Sequence, residues 1–148
     1  MKTCTFFGHK DTLQTIKPIL KTAIINLIEN EKVDSFYVGN QGGFDSITLD
    51  ILIELSYLYN VRYNVVLAYI AGKKINFEQY KNINTIFPDG IENTPPRFAV
   101  SYRNKWMIEH ADYVITFVTH SWGGAAEFKR LAEKKGKIIV ELSNWHKK

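Results

Sequence analysis

Two spacings of apolar residues alternate along this chain. Short, nearly continuous β-favouring runs at residues 3–7, 33–38, 63–70, 113–118 and 137–142 predict five strands. Between them, apolar residues recur every three or four positions, which predicts helices over 12–30, 44–59, 98–110 and 125–135. Leu13, Ile16, Leu20, Ala23, Ile24, Leu27 and Ile28 mark the first helix, and Ile47, Leu49, Ile51, Leu52, Leu55 and Leu58 the second. Asp11 or Thr12 is placed to cap the first helix, with Pro18 delaying or kinking its start. Residues 72–96, with Pro88, Gly90, Pro95 and Pro96, read as one long irregular segment. Loops of that length in a compact domain are often functional, here as a partial lid.

Alternating strands and helices, with apolar runs in the strands, imply a parallel sheet covered on both faces. The expected fold is therefore α/β: a single Rossmann-like three-layer domain over 1–148, with a mostly parallel five-stranded sheet. Sheets of this kind bind ligands at the carboxyl ends of their strands, near the switch in strand order. The turns Gly8-His9, Gly39-Asn40-Gln41-Gly42-Gly43 and Ser121-Trp122-Gly123-Gly124 all fall at that edge and are expected to converge on one pocket.

Composition narrows the classes. Hydrophobic residues make up 45% and charged residues 23%, as in a globular protein rather than a disordered one. The net charge of +4 comes largely from Lys129, Arg130, Lys134, Lys135, Lys137, Lys147 and Lys148, which read as a solvated helix face before they read as a nucleic-acid site. The lone Cys4 excludes an internal disulfide, and no Cys/His pair has zinc spacing. No metal or redox cofactor is implied. With no signal peptide and no membrane-length apolar run, a cytoplasmic protein without membrane contact is expected.

The turn before the last helix carries the most chemistry. Glycine allows close backbone approach, and the free N–H groups of a helix start favour a phosphate. Ser121, Trp122, Gly123, Gly124 and Ala125 are the candidate cradle, with Glu127 in the helix's first turn. Arg103 is a bidentate clamp for phosphate or ribose, and Arg97 a second phosphate candidate. His9 and His120, each at a strand end, can donate to a phosphate or carry a proton, or simply bond to backbone. Asn40 and Gln41 suit a base edge or ribose, whereas Asp45 reads as a cap for the following helix. Trp122 and Phe44 have flat faces on which a base can stack. Trp106 and Met107, adjacent on one helix, cannot both face the pocket. His110 and His146 read as structural or exposed, and Lys105 as a solvated helix residue.

Together the segments Thr5-Phe6-Phe7-Gly8-His9, Phe36-Tyr37-Val38-Gly39-Asn40-Gln41-Gly42-Gly43-Phe44-Asp45, Pro95-Pro96-Arg97-Phe98-Ala99, Arg103-Asn104-Lys105-Trp106-Met107 and Ala111-Asp112-Tyr113-Val114-Ile115 resemble the SLOG superfamily. This is the Rossmann-like group of LOG-type phosphoribohydrolases and DprA-type DNA-processing proteins, and the chain looks most like its small YpsA-like bacterial branch. LOG enzymes carry Arg-x-x-x-Met on a helix, then a strand, then Pro-Gly-Gly-x-Gly-Thr-x-x-Glu. Arg103 and Met107 match the first pattern; Gly123 and Glu127 match the later glycine and acid of the second. Gly124 stands in place of Thr, and Thr119-His120-Ser121 in place of Pro-Gly-Gly. The resemblance implies that Arg103 and Glu127 are a catalytic pair cleaving or transferring at the N-glycosidic bond of a nucleoside monophosphate. It equally allows a non-catalytic sensor of a nucleotide signal or, less favoured, a DprA-like nucleic-acid binder. A homodimer face on the helix of residues 98–110 is implied in the same way.

Overall fold

The predicted strands and helices all form, and one further strand joins them. The computed structural model describes residues 1–68 and 76–145. In chain order the elements are β1 (Thr3–Gly8), α1 (Lys17–Glu31), β2 (Ser35–Val38), α2 (Gly42–Ser56), β3 (Arg62–Val66), β4 (Thr85–Ile86), α3 (Ala99–Glu109), β5 (Tyr113–Phe117), α4 (Gly124–Lys134) and β6 (Ile138–Glu141). The six strands form one sheet in the order β4-β3-β2-β1-β5-β6, and every pairing is parallel.

The sheet therefore has six strands rather than five. The added strand pairs Thr85 with Val65 and Ile86 with Val66, and two residues are too few to show alternation in a sequence. It lies inside the segment expected to be irregular. The rest of that segment's described part is also folded down: Ile91 is buried against Ala68 and Ala99, and the Tyr102 hydroxyl donates to the Asp89 carbonyl. The expected strand end at Tyr69 and Ile70, residues 72–75 of the expected lid, and His146, Lys147 and Lys148 lie outside the described residues.

Strand side chains divide by parity between two helical layers. Phe6, Val65 and Ile115 pack with Leu20, Ile24 and Leu27 of α1 and Ile47, Ile51 and Leu55 of α2. Their neighbours Phe7, Val66 and Val114 face the other way, onto Met107 and Ile108 of α3 and Phe128 and Ala132 of α4. This is the period of two expected of strands buried on both faces. Cys4 is fully buried, and burial pushes its thiol pKa far up, so it packs as a small apolar group.

Helix ends depart from the periodic reading in explicable ways. Pro18 occupies the first turn of α1, so the α-helix begins at Lys17 after a single 3-10 turn, Gln14–Ile16. Leu13 then lies outside the helix and is exposed. Leu58, counted for the second helix, lies beyond its end at Ser56 and is exposed too. β1 sits between β2 and β5 and the order reverses there, so the crevice of this fold lies beyond the ends of β1 and β5.

Candidate functional site

A cavity of about 540 Å³ opens at that crevice. Gly8 and His9 after β1, Gln41 after β2, Arg103 and Asn104 on α3, and His120, Gly123, Gly124 and Ala125 after β5 all line it. The convergence expected from three separate turns is thus found for part of each. Gly123 has a φ of 92°, a left-handed value that admits glycine and lets β5 turn sharply into α4. No side chain caps the helix start, and nothing lies within 4 Å of the point where a Cβ on Gly124 would stand. The helix therefore presents uncapped N–H groups to open space.

Arg103 forms part of the cavity wall although only 1% of its surface is exposed. Its Nε donates to the Asn104 side-chain oxygen at 2.7 Å, and Nη1 donates to Asn40 Oδ1 at 2.8 Å and to the Val66 carbonyl at 3.0 Å. Among the described residues Nη2 has no hydrogen-bond partner. A buried guanidinium is held rigidly by two of its nitrogens while the third is unengaged.

Asp45 is, with Asp11, one of two carboxyl groups of the same wall. Its Oδ2 accepts from the Gln41 backbone N–H at 2.9 Å; the helix starts at Gly42, so Asp45 lies inside the first turn and reaches back to the N-cap residue instead of being the N-cap that its position suggested. Burial raises its pKa to about 6, although the Arg103 guanidinium and the Gln41 N–H both oppose the shift. Gly39 makes this arrangement possible. A Cβ there would stand 2.9 Å from Asp45 Oδ2 and 3.1 Å from Arg103 Cζ.

Three rings form a continuous stack at the cavity's edge. His9 and His120 lie 3.9 Å apart at 19°, and His120 and Trp122 lie 4.0 Å apart at 18°. The Thr119 N–H donates to His9 Nε2 at 3.0 Å, so that nitrogen carries no proton. Burial and the neighbouring His120 lower the His9 pKa, consistent with a neutral ring. His120 Nδ1 lies 2.9 Å from the Trp122 carbonyl, which can only accept, so Nδ1 bears the proton.

With this geometry in hand, comparison with known proteins is decisive on family. The YpsA model, described as the YspA SLOG family, matches residues 1–138. The chain belongs to this SLOG family. No curated protein matches it by sequence. Among solved structures it is similar to the X-ray structure of DNA processing protein A (DprA) from Streptococcus pneumoniae, with a TM-score of 0.71 at 12% identity. That match covers 95% of this chain and 50% of the DprA chain, so this SLOG protein spans half the length of that relative. The likeness shows the Rossmann-like fold.

Within this SLOG domain the sequence-predicted residues divide. Gly8, His9, Gln41, Arg103, His120, Gly123, Gly124 and Ala125 share the main cavity. Gly39, Asn40 and Gly42 line a smaller one of about 240 Å³ with Gln79 and Tyr80, whose hydroxyl accepts from Asn40 at 3.2 Å. Gly43 lines neither; its N–H donates to the Lys10 carbonyl at 2.6 Å, joining the first two loops. Phe44 is fully buried against Gly8, which excludes it as a base platform. Ser121, Trp122, Arg97 and Glu127 are exposed and outside the cavity lining, Arg97 over the ring of Phe98. Of the pair implied by the resemblance, Arg103 lines the cavity and Glu127 does not. Glu127 shares the exposed face of α4 with Arg130 and Lys134, at positions i, i+3 and i+7.

Other expectations resolve simply. Met107 is buried in the core and lines the cavity, whereas Trp106 packs edge-on against Tyr37 and stacks on His110. None of the described residues 76–96 lines the main cavity, so that stretch is no lid over it. No helix among the described residues is long and apolar enough to cross a membrane. Sequence reasoning missed Asp45 as a cavity group and missed Glu141 altogether. Glu141 accepts from Thr116 Oγ1 at 2.8 Å, from the N–H groups of Val118 and Ser143, and pairs with Lys129 at 3.0 Å. Burial alone would raise its pKa, but these four donors together hold it below the ordinary value. An acid at the end of an edge strand was the available signal.

Proposed function

We propose that this protein binds a phosphate-bearing, nucleotide-derived ligand in the cavity beyond β1 and β5, and that it does so without using Glu127 for catalysis. One observation carries the reading: the unengaged Nη2 side of a buried arginine and an uncapped helix start line the same cavity. Burying a guanidinium is costly, and an anion between Arg103 and the N–H groups of Gly123 to Ala125 compensates it with charge-assisted hydrogen bonds. Membership of the SLOG family supports a nucleotide as the carrier of that phosphate.

Turnover at the N-glycosidic bond would need a carboxylate at the reacting carbon. Glu127 is exposed on α4 and outside the cavity lining; the acids that line the cavity are Asp11 and Asp45, and Asp45 accepts from the Gln41 N–H. The acid that the resemblance assigns to that step thus lies outside the cavity lining, which supports a sensor or carrier over a hydrolase. Calorimetric titration with nucleoside monophosphates and ribose 5-phosphate tests it, alongside chromatography for free base. Binding to the wild type, weakened about tenfold or more in Arg103→Lys under conditions where circular dichroism shows that variant folded, is expected. Base release that disappears in Glu127→Gln would replace this reading with hydrolysis.

A further inference from the structure

The exposed ring of Trp122 remains outside this account. A tryptophan that is 69% exposed is a large apolar surface left in water, and here it is not loosely held. Its inner face lies on His120, which lies on His9. Its own carbonyl accepts from His120 Nδ1, and the neighbouring Ser121 carbonyl accepts from Arg130 Nη1 at 3.0 Å. The start of the same loop is held by Thr119 N–H on His9 and by Val118 N–H on Glu141, at 3.0 and 3.1 Å. The loop is thus pinned at four of its five positions from Val118 to Trp122 by hydrogen bonds to side chains, and it ends in the glycine start of α4.

We propose that the outer face of Trp122 is a stacking platform for the ligand's nucleobase, seated one residue before the turn that receives its phosphate. The proposal rests on the phosphate-binding reading above and adds the part of the ligand that is recognised and the residue that recognises it. Every base has a π-face, so stacking favours aromatic bases as a class rather than one hydrogen-bonding pattern. A ring already held in place loses little rotamer freedom when a base settles on it, which makes a pinned tryptophan an effective anchor. The imidazoles beneath it serve as the support that keeps the indole flat and outward.

Two probes that share a phosphate separate the two claims: AMP, which has a base, and ribose 5-phosphate, which has none. Calorimetry should show AMP binding the wild type about tenfold or more tighter than ribose 5-phosphate. Trp122→Ala should abolish that preference while leaving ribose 5-phosphate affinity unchanged, and Trp122→Phe should retain most of it. The exposure of the ring makes both variants foldable, which circular dichroism verifies. Equal affinity of the wild type for both probes, or an AMP preference intact in Trp122→Ala, overturns the platform and leaves the phosphate site standing. If neither probe binds the wild type, the phosphate reading fails and the platform with it.

Discussion

Arg103 reaches from α3 to Asn40 in the loop after β2, with 2.8 Å between Nη1 and Oδ1. The same nitrogen bonds the Val66 carbonyl, so one guanidinium ties together α3, the β2 loop and the end of β3. Asn40→Ala removes an acceptor from a buried charge, and a loss of about 1–3 kcal/mol is expected in urea unfolding. A loss near zero would mean that the loop is held by other contacts.

Gly8 and Gly124 line one cavity and should respond oppositely to alanine. A Cβ on Gly8 would stand 2.2 Å from Phe44 Cγ, whereas a Cβ on Gly124 meets nothing within 4 Å. Gly8→Ala should therefore destabilise by about 1–3 kcal/mol or more through overpacking. Gly124→Ala should fold as well as the wild type, or better by up to about 1 kcal/mol, while its methyl group obstructs phosphate binding. Thermal melts paired with titrations separate the two effects.

The raised pKa of Asp45, about 6, gives stability a signed pH dependence. The folded state favours its protonated form, so this contribution is present in acid and is lost as pH rises through about 6. Asp45→Asn keeps an acceptor for the Gln41 N–H without the charge, and should be more stable than the wild type at neutral pH. It should also bind phosphate compounds more tightly there, and the advantage should shrink below about pH 6. Measuring both proteins across the same pH series cancels the ligand's own titration.

Glu141 works in the reverse sense. Its pKa is held below the ordinary 4.5, so its stabilisation is present at higher pH and is lost as pH falls through the lowered value. Glu141→Ala leaves Lys129 and the N–H groups of Val118 and Ser143 without their acceptor, and should cost about 2–3 kcal/mol. Acid unfolding of the variant should begin from a lower plateau and show a shallower pH slope than that of the wild type.

Glu127→Gln is expected to change little. An exposed residue on the solvent face of α4 should shift stability by no more than about 0.5 kcal/mol and leave phosphate affinity unaltered. A tenfold or larger loss of binding would place the side chain at the ligand after all.

Much of this was legible before any coordinates. The alternation of Phe6 and Phe7, or of Val65 and Val66, reports two covered faces directly in the sequence. The glycine turn at Gly123 announces a sharp strand-to-helix passage. The two-residue β4 was not legible, because a period needs more than one repeat to be seen. The sequence reading weighed Glu127's distance along the helix and not its angle around it; its alignment with Arg130 and Lys134 was the signal for an exposed position outside the cavity lining. Asp45 was read as a cap only. Its second role depends on Arg103, 58 residues later, and on the absence of a side chain at Gly39.

His9 borders a second cavity as well, of about 510 Å³, on the far side of its loop with Thr12, Ile16, Phe117 and Trp145. The imidazole is a party wall between two rooms. Anything that turns it from one side redraws the other, so occupants of the two sides would be coupled through one ring, each altering the other's affinity by the same factor.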